Sequence, residues 1–190
     1  MSGRVSVITK GIILFKSAES ALLWAAQVRE TLIYKAPSIS RMCGKPSRPT
    51  DNDVLIGLSP EEVHRQADNI YSMIISIEDP VCEAYLLCKY FNDPDQLSRI
   101  VSRVHLHLTD RSRDLTMLIL AYVGARIGGR EITHRMIRES LSCHNAAAAD
   151  YRKIVYSIMD KLHAQSIDII ECKMIDAGLV GNQFIAGVRC

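Results

Sequence analysis

Three proline steps punctuate the middle of the chain: Ser59-Pro60, Asp79-Pro80 and Asp93-Pro94. In each, a residue whose oxygen can accept from free helix-end amides stands directly before a proline, which suits the first helical position. Each step therefore predicts a helix start, and the apolar spacing behind it agrees. Glu61 and Glu62 follow Pro60 in a first turn that favours acids, and Val63, Ala67, Ile70, Ile74 and Ile77 then recur every three or four residues. Pro80 leads into Ala84, Leu87 and Cys88, closing near Asn92, and Pro94 leads into Leu97, Ile100, Val101 and Val104. Such closely spaced starts predict short connections between antiparallel helices.

The flanking segments extend this array. Ser17 is placed to cap a helix carrying Ala18, Ala21, Leu22, Ala25, Val28 and Leu32 inward, with Glu19 in its first turn and Pro37 to end it. The residues before it, including Val5, Val7, Ile8 and Ile12 to Phe15, read as a short strand or an ordered arm. A further helix is expected from about Ser112 to Ile127, stopped by Gly128-Gly129. The expected class is mainly α, a multi-helix array with a C-terminal helix-turn-helix. The expected organisation is an N-terminal arm, helix and basic proline-rich loop over 1–53, a central helical body over 54–128, a helix-turn-helix region over 129–178 and a tail over 179–190.

Composition narrows the chemistry. Hydrophobic residues make up 48% but aromatics only 6%, so the core must be built from Ile, Leu, Val, Met and Ala. A formal charge of +2 argues against a polybasic arm and makes any nucleic-acid contact a matter of local clustering. No stretch is long and apolar enough for a membrane span, and the expected location is cytoplasmic. The cysteines at 43, 82, 88, 143, 172 and 190 include no CxxC pair to seed a zinc site, and reduced buried thiols are expected. The loop from Ala36 to Asp53 carries Lys35 at its edge and Arg41, Lys45 and Arg48 within it, and reads as a solvated linker.

No catalytic constellation stands out. His105 and His107 lack a third metal ligand placed by spacing, and Cys143-His144 is a poor geometry for a nucleophile and its base. Glu61-Glu62 and Asp51/Asp53 are explained by cap and turn chemistry. The expectation is a protein without enzymatic activity, cofactor or metal.

The C-terminal third is different. From Arg126 to Lys153 six basic residues (Arg126, Arg130, Arg135, Arg138, Arg152, Lys153) face three acids (Glu131, Glu139, Asp150), a local +3 exceeding that of the whole chain. One helix is expected over Arg130 to Leu141, with Ile132, Met136, Ile137 and Leu141 on one face. After a polar interruption, Ser142-Cys143-His144-Asn145, a longer helix is expected with Ala147, Tyr151, Ile154, Val155, Ile158 and Leu162 buried. It extends to Ala177-Gly178 if Ser166 to Cys172 is helix rather than strand. Opposite the buried stripe stand Asn145, Ala146, Ala149, Arg152, Lys153 and Tyr156. Small residues there let the backbone approach a major groove, where Asn145 suits adenine and Arg152 and Lys153 suit guanine or phosphate.

The stretch REITHRMIRESLSCHNAAAADYRKIVYSIMDKL resembles the sigma-region-4 type of helix-turn-helix, with Leu141 ending the first helix, Ser142 in the turn and Cys143 as the apolar residue after it. Ser142 stands where glycine is usual in that family, and Arg138 where a small alanine lets the helices touch. More of the chain, through SAESALLWAAQVRETLIYKAPSISRMCG, LSPEEVHRQADNIYSMI and DPVCEAYLLCKYF, is similar in layout to bacteriophage Q-type late antiterminators. The zinc-binding cysteine cluster of one Q subgroup is absent. The resemblance implies a regulator that binds double-stranded DNA near a late promoter and engages RNA polymerase. The DNA-facing residues would then be Arg130, Arg135, Arg138, His144, Asn145, Ala149, Arg152 and Lys153. The rival reading of the same helices is a protein-interaction module, such as a phage inhibitor of a host protein.

Overall fold

The computed structural model describes residues 15–34, 59–127 and 130–180. Helices take up 74% of these residues, in seven helices, so the chain is mainly α. The helices are α1 (Ala18–Tyr34), α2 (Pro60–Ile75), α3 (Pro80–Tyr90), α4 (Leu97–His105), α5 (Thr116–Val123), α6 (His134–Leu141) and α7 (Asn145–Asp176). A 3₁₀ turn, Pro94–Gln96, leads into α4. Two short strands, β1 (Arg126–Ile127) and β2 (Arg130–Glu131), pair antiparallel with Arg126 opposite Glu131. Among the described residues no helix is long and apolar enough to cross a membrane. The expectations for the arm before Phe15, for the loop of 36–53 and for the tail from Gly181 lie outside the described residues.

Each proline step starts a helical element as its chemistry requires. The Ser59 hydroxyl accepts from the Glu62 amide, and the Glu62 carboxylate accepts from the Ser59 amide, a reciprocal capping box. The Asp79 carboxylate accepts from the amides of Val81 and Cys82, and that of Asp93 accepts from the amide of Asp95. At α1, Ser17 and Ser20 make the same reciprocal pair between hydroxyl and amide.

The described residues divide into two compact units, one formed by 15–34, 59–73 and 171–180 and the other by those of 74–170. In the first, Phe15 forms a parallel bridge with Val180 and its ring packs on Trp24 at 5.3 Å, while Ala18, Ala21, Leu22 and Ala25 are fully buried. Arg29 lies over the Tyr71 ring and pairs with Asp68. In the second unit the core is aliphatic around one large aromatic: Leu86, Leu87, Ile100, Leu115, Leu118, Ile119, Leu141, Val155 and Met159 with Tyr85. Tyr122 fixes α7 in this unit, donating to Asp160 at 2.6 Å and meeting Tyr156 edge-on at 5.0 Å.

Several expectations need correction. The helix expected from Ser112 to Ile127 is shorter: it begins at Thr116, whose amide donates to Asp114, and Gly124 ends it in the left-handed conformation (φ 79°). The freed Arg126–Ile127 becomes β1. The helix drawn from Arg130 begins only at His134, where the Thr133 hydroxyl accepts from the Met136 amide. Ile154 is not buried but 49% exposed, since the core-facing positions of α7 are Val155, Met159 and Leu162. Of the two readings of Ser166 to Cys172 the helical one, favoured by the sequence, holds, and α7 runs unbroken for 32 residues. Cys82, Cys88 and Cys143 are free, whereas Cys172 is disulfide-bonded, against the expected reduced thiol; spacing along the chain does not reveal which sulfurs meet.

Candidate nucleic-acid interface

The candidate face is built on α6, the turn after it and the first turns of α7. Ile137 and Leu141 are the buried residues of α6, and they hold its inner side to the core. The chain then reverses direction at Ser142, which has φ 49° and ψ 46°. This left-handed geometry costs an L-residue roughly 1–2 kcal/mol and is why glycine is favoured at such positions. His144 accepts from the Ala148 amide as α7 begins.

The strain at Ser142 is braced from the α4–α5 connection. Arg113 Nη1 donates to the carbonyl oxygens of Leu141 and Ser142, each at 3.0 Å, placing a cation where the α6 dipole ends negative. Arg113 Nε donates to Asp110 at 3.1 Å. The same carboxylate accepts from the Ser112 hydroxyl and amide and from the Tyr151 hydroxyl on α7. These bonds, the Ser112 hydroxyl foremost, hold the Asp110 carboxyl well below the usual carboxylate range. A second tie joins the Ser140 hydroxyl to the Asp114 carbonyl at 2.9 Å.

Four of the sequence-derived residues come together. Arg138, Asn145, Ala149 and Arg152 line one cleft of about 280 Å³ with His134, Ile137 and Ala148. The Arg138 guanidinium reaches across and donates to Asn145 Oδ1 at 3.1 Å. Arg152 lies 3.5 Å from the His134 ring nitrogens, with its guanidinium 4.9 Å from the Tyr156 ring centroid. The cleft is therefore two guanidiniums flanking an amide over a floor of small side chains.

The other four residues stand apart from this cleft. Arg130 is exposed on β2. Arg135 is 80% exposed and bound to Glu139 at 2.7 Å within α6. His144 is exposed and lines a separate depression beside Cys143 and Ala147. Lys153 pairs with Asp150 at 3.7 Å and faces a different groove of α7.

Pairing changes the meaning of the local +3. Glu131 meets Arg126 at 3.8 Å, Glu139 meets Arg135 and Asp150 meets Lys153, so each acid of the region neutralises a particular neighbour. Exposed pairs of this kind stabilise little, but their charges cancel at a distance. Among the described residues no carboxylate lies within ion-pair distance of Arg130, Arg138 or Arg152. The uncancelled charge therefore concentrates on the cleft and on β2.

The sequence pattern does not single out His134, Arg113 or Asp110, and it places Tyr151 only in the buried stripe. His134 was within reach, since it stands four residues before Arg138 on one helix face. The Arg113 and Tyr151 contacts join residues 28 to 41 positions apart, for which no local pattern exists. Among the described residues no group of three His, Cys, Asp or Glu side chains is arranged to hold a metal ion. No family model, curated protein or solved structure matches this chain.

Proposed function

We propose that the chain is a non-enzymatic, sequence-specific DNA-binding regulator that reads duplex DNA with α6 and the start of α7. In its finer form it is a phage late antiterminator of the Q type, which also engages RNA polymerase. The observation that carries the DNA reading is the cleft in which Arg138, Asn145 and Arg152 converge over Ala148 and Ala149. Guanidiniums supply the phosphate-neutralising charge and the fork geometry that guanine accepts, and an amide suits adenine. Small residues at the floor let the helix backbone come close to base edges. Arg130 extends the cationic track, whereas Arg135 and Lys153 contribute less because their own acids already hold them.

The test is selection of binding sequences from a random duplex pool, followed by affinity measured across salt concentrations. Three uncancelled arginines on phosphates correspond to a slope of log K on log salt of about −3. Arg138→Ala and Arg152→Ala should each weaken binding and flatten that slope by about one unit if they meet phosphates. Asn145→Ala should cost about 1–3 kcal/mol on the selected sequence and little on random duplex. Unchanged affinity in both arginine variants sinks the assignment of this face.

A further inference from the structure

A second cleft, of about 640 Å³, runs along α7 on another side. Its apolar lining comes from Ile154, Ile158 and Leu162, spaced four residues apart and so rising about 6 Å per step along the helix. Its charge comes from Arg103 of α4 and Lys161 of α7, while Lys153, held by Asp150, and His107, in the turn after α4, complete the polar rim. Among the described residues no carboxylate lines it. Asp150 pairs with Lys153 at 3.7 Å, and Asp79 accepts from Gln165 at the cleft's end at 3.4 Å. Ile154, 49% exposed, is an aliphatic side chain left in water amid this charge.

An apolar strip with a one-sign rim specifies its complement. We infer that this cleft docks an acidic amphipathic helix of a partner protein, two or more turns long, with Leu- or Ile-like residues at helical spacing and Asp or Glu flanking them. The i, i+4, i+8 rise of the strip matches the side-chain rows of a helix laid alongside α7. The rim supplies the charge complementarity that speeds encounter and rejects basic helices. Duplex DNA fits it less well, since a phosphate backbone buries no apolar strip. Ile154 lies about half a turn round the α7 axis from Asn145, so this cleft and the DNA-reading cleft face different ways. Docking here leaves the DNA face open, and a DNA-bound protein presents the cleft to its partner.

The test uses the full chain and a fluorescein-labelled peptide of roughly 18 residues, about five turns, with Leu on one helical face and Glu and Ala elsewhere. Controls are a peptide of the same composition with the Leu residues dispersed and one with Lys replacing Glu. The amphipathic acidic peptide should bind at least about tenfold tighter than either control. Ile154→Asp, and separately the double reversal Arg103→Glu with Lys161→Glu, should each weaken that binding about tenfold or more while circular dichroism and duplex-DNA affinity stay unchanged. Equal binding of all three peptides overturns the inference, as does indifference to both variants. Loss of duplex-DNA affinity in these variants with peptide binding intact would assign the cleft to nucleic acid instead. Ile154→Asp dissociating a wild-type dimer, without peptide binding, would assign it to a second copy of the chain.

Discussion

Replacing Ser142 by glycine removes a Cβ from the turn that sets α6 against α7. With φ 49° and ψ 46°, Ser142 pays roughly 1–2 kcal/mol for a left-handed backbone that glycine adopts freely. Glycine returns roughly 0.5–1 kcal/mol of this through the greater entropy of its unfolded chain. The Ser142 hydroxyl contact to the Glu139 carbonyl, at 3.4 Å, is at the edge of hydrogen-bond range and contributes little. The balance favours Ser142→Gly by about 0.5–1 kcal/mol, a rise in midpoint of about 1–4 °C for a chain this size. Ser142→Ala keeps the strain and loses only the weak contact, so it should fall slightly below the wild type. Ser142→Val adds β-branching at positive φ and should lose a further ~1–2 kcal/mol. Urea titrations followed by far-ultraviolet circular dichroism read the order Gly, Ser, Ala, Val. If glycine and alanine come out equal, or valine matches serine, the turn does not hold a positive φ and the bracing by Arg113 has been misread.

Two further perturbations probe the same unit. Asp110 has its folded pKa depressed, so its contribution is full above the ordinary aspartate value of about 3.9 and fades as pH falls below it. Asp110→Asn should therefore lower the urea midpoint near neutral pH, and its difference from wild type should shrink steadily in acid; a difference independent of pH contradicts the network. Among the described residues three cysteines are free: burial pushes the Cys88 thiol up to about 12 and raises Cys82 as well, while Cys143 is half-exposed. A thiol-reactive dye at mildly alkaline pH should label Cys143 first by mass spectrometry, and faster labelling of Cys88 would show that its site opens to solvent.

The helical starts were legible because their chemistry is local: a capping oxygen, a proline, acids in the first turn. Ser59, Asp79 and Asp93 needed no information from elsewhere in the chain. The ends were harder. Gly128-Gly129 looked like the stop of α5, but Gly124, alone and less conspicuous, takes that role with its left-handed φ. Thr133 rather than Arg130 starts α6, because a cap depends on backbone geometry that a run of apolar spacing does not report. In the site, the wheel placed Asn145, Ala149 and Arg152 together, whereas Arg138 looked like an obstruction. Its long side chain donates to Asn145, a contact whose partner spacing alone does not report. The same wheel puts Lys153 with Arg152 opposite the buried stripe, yet neighbours in a helix are about 100° apart and these two face different clefts.

The 32 unbroken residues of α7 also fix a phase. Its first turns carry Asn145 and Arg152, and the stretch beyond carries Ile154, Ile158 and Leu162, so one rigid screw indexes both clefts to each other. Inserting a single residue between Arg152 and Ile154 would rotate everything after it by about 100°, whereas inserting seven would leave an error of only about 20°. Spacing along this helix is thus read as an angle before it is read as a distance.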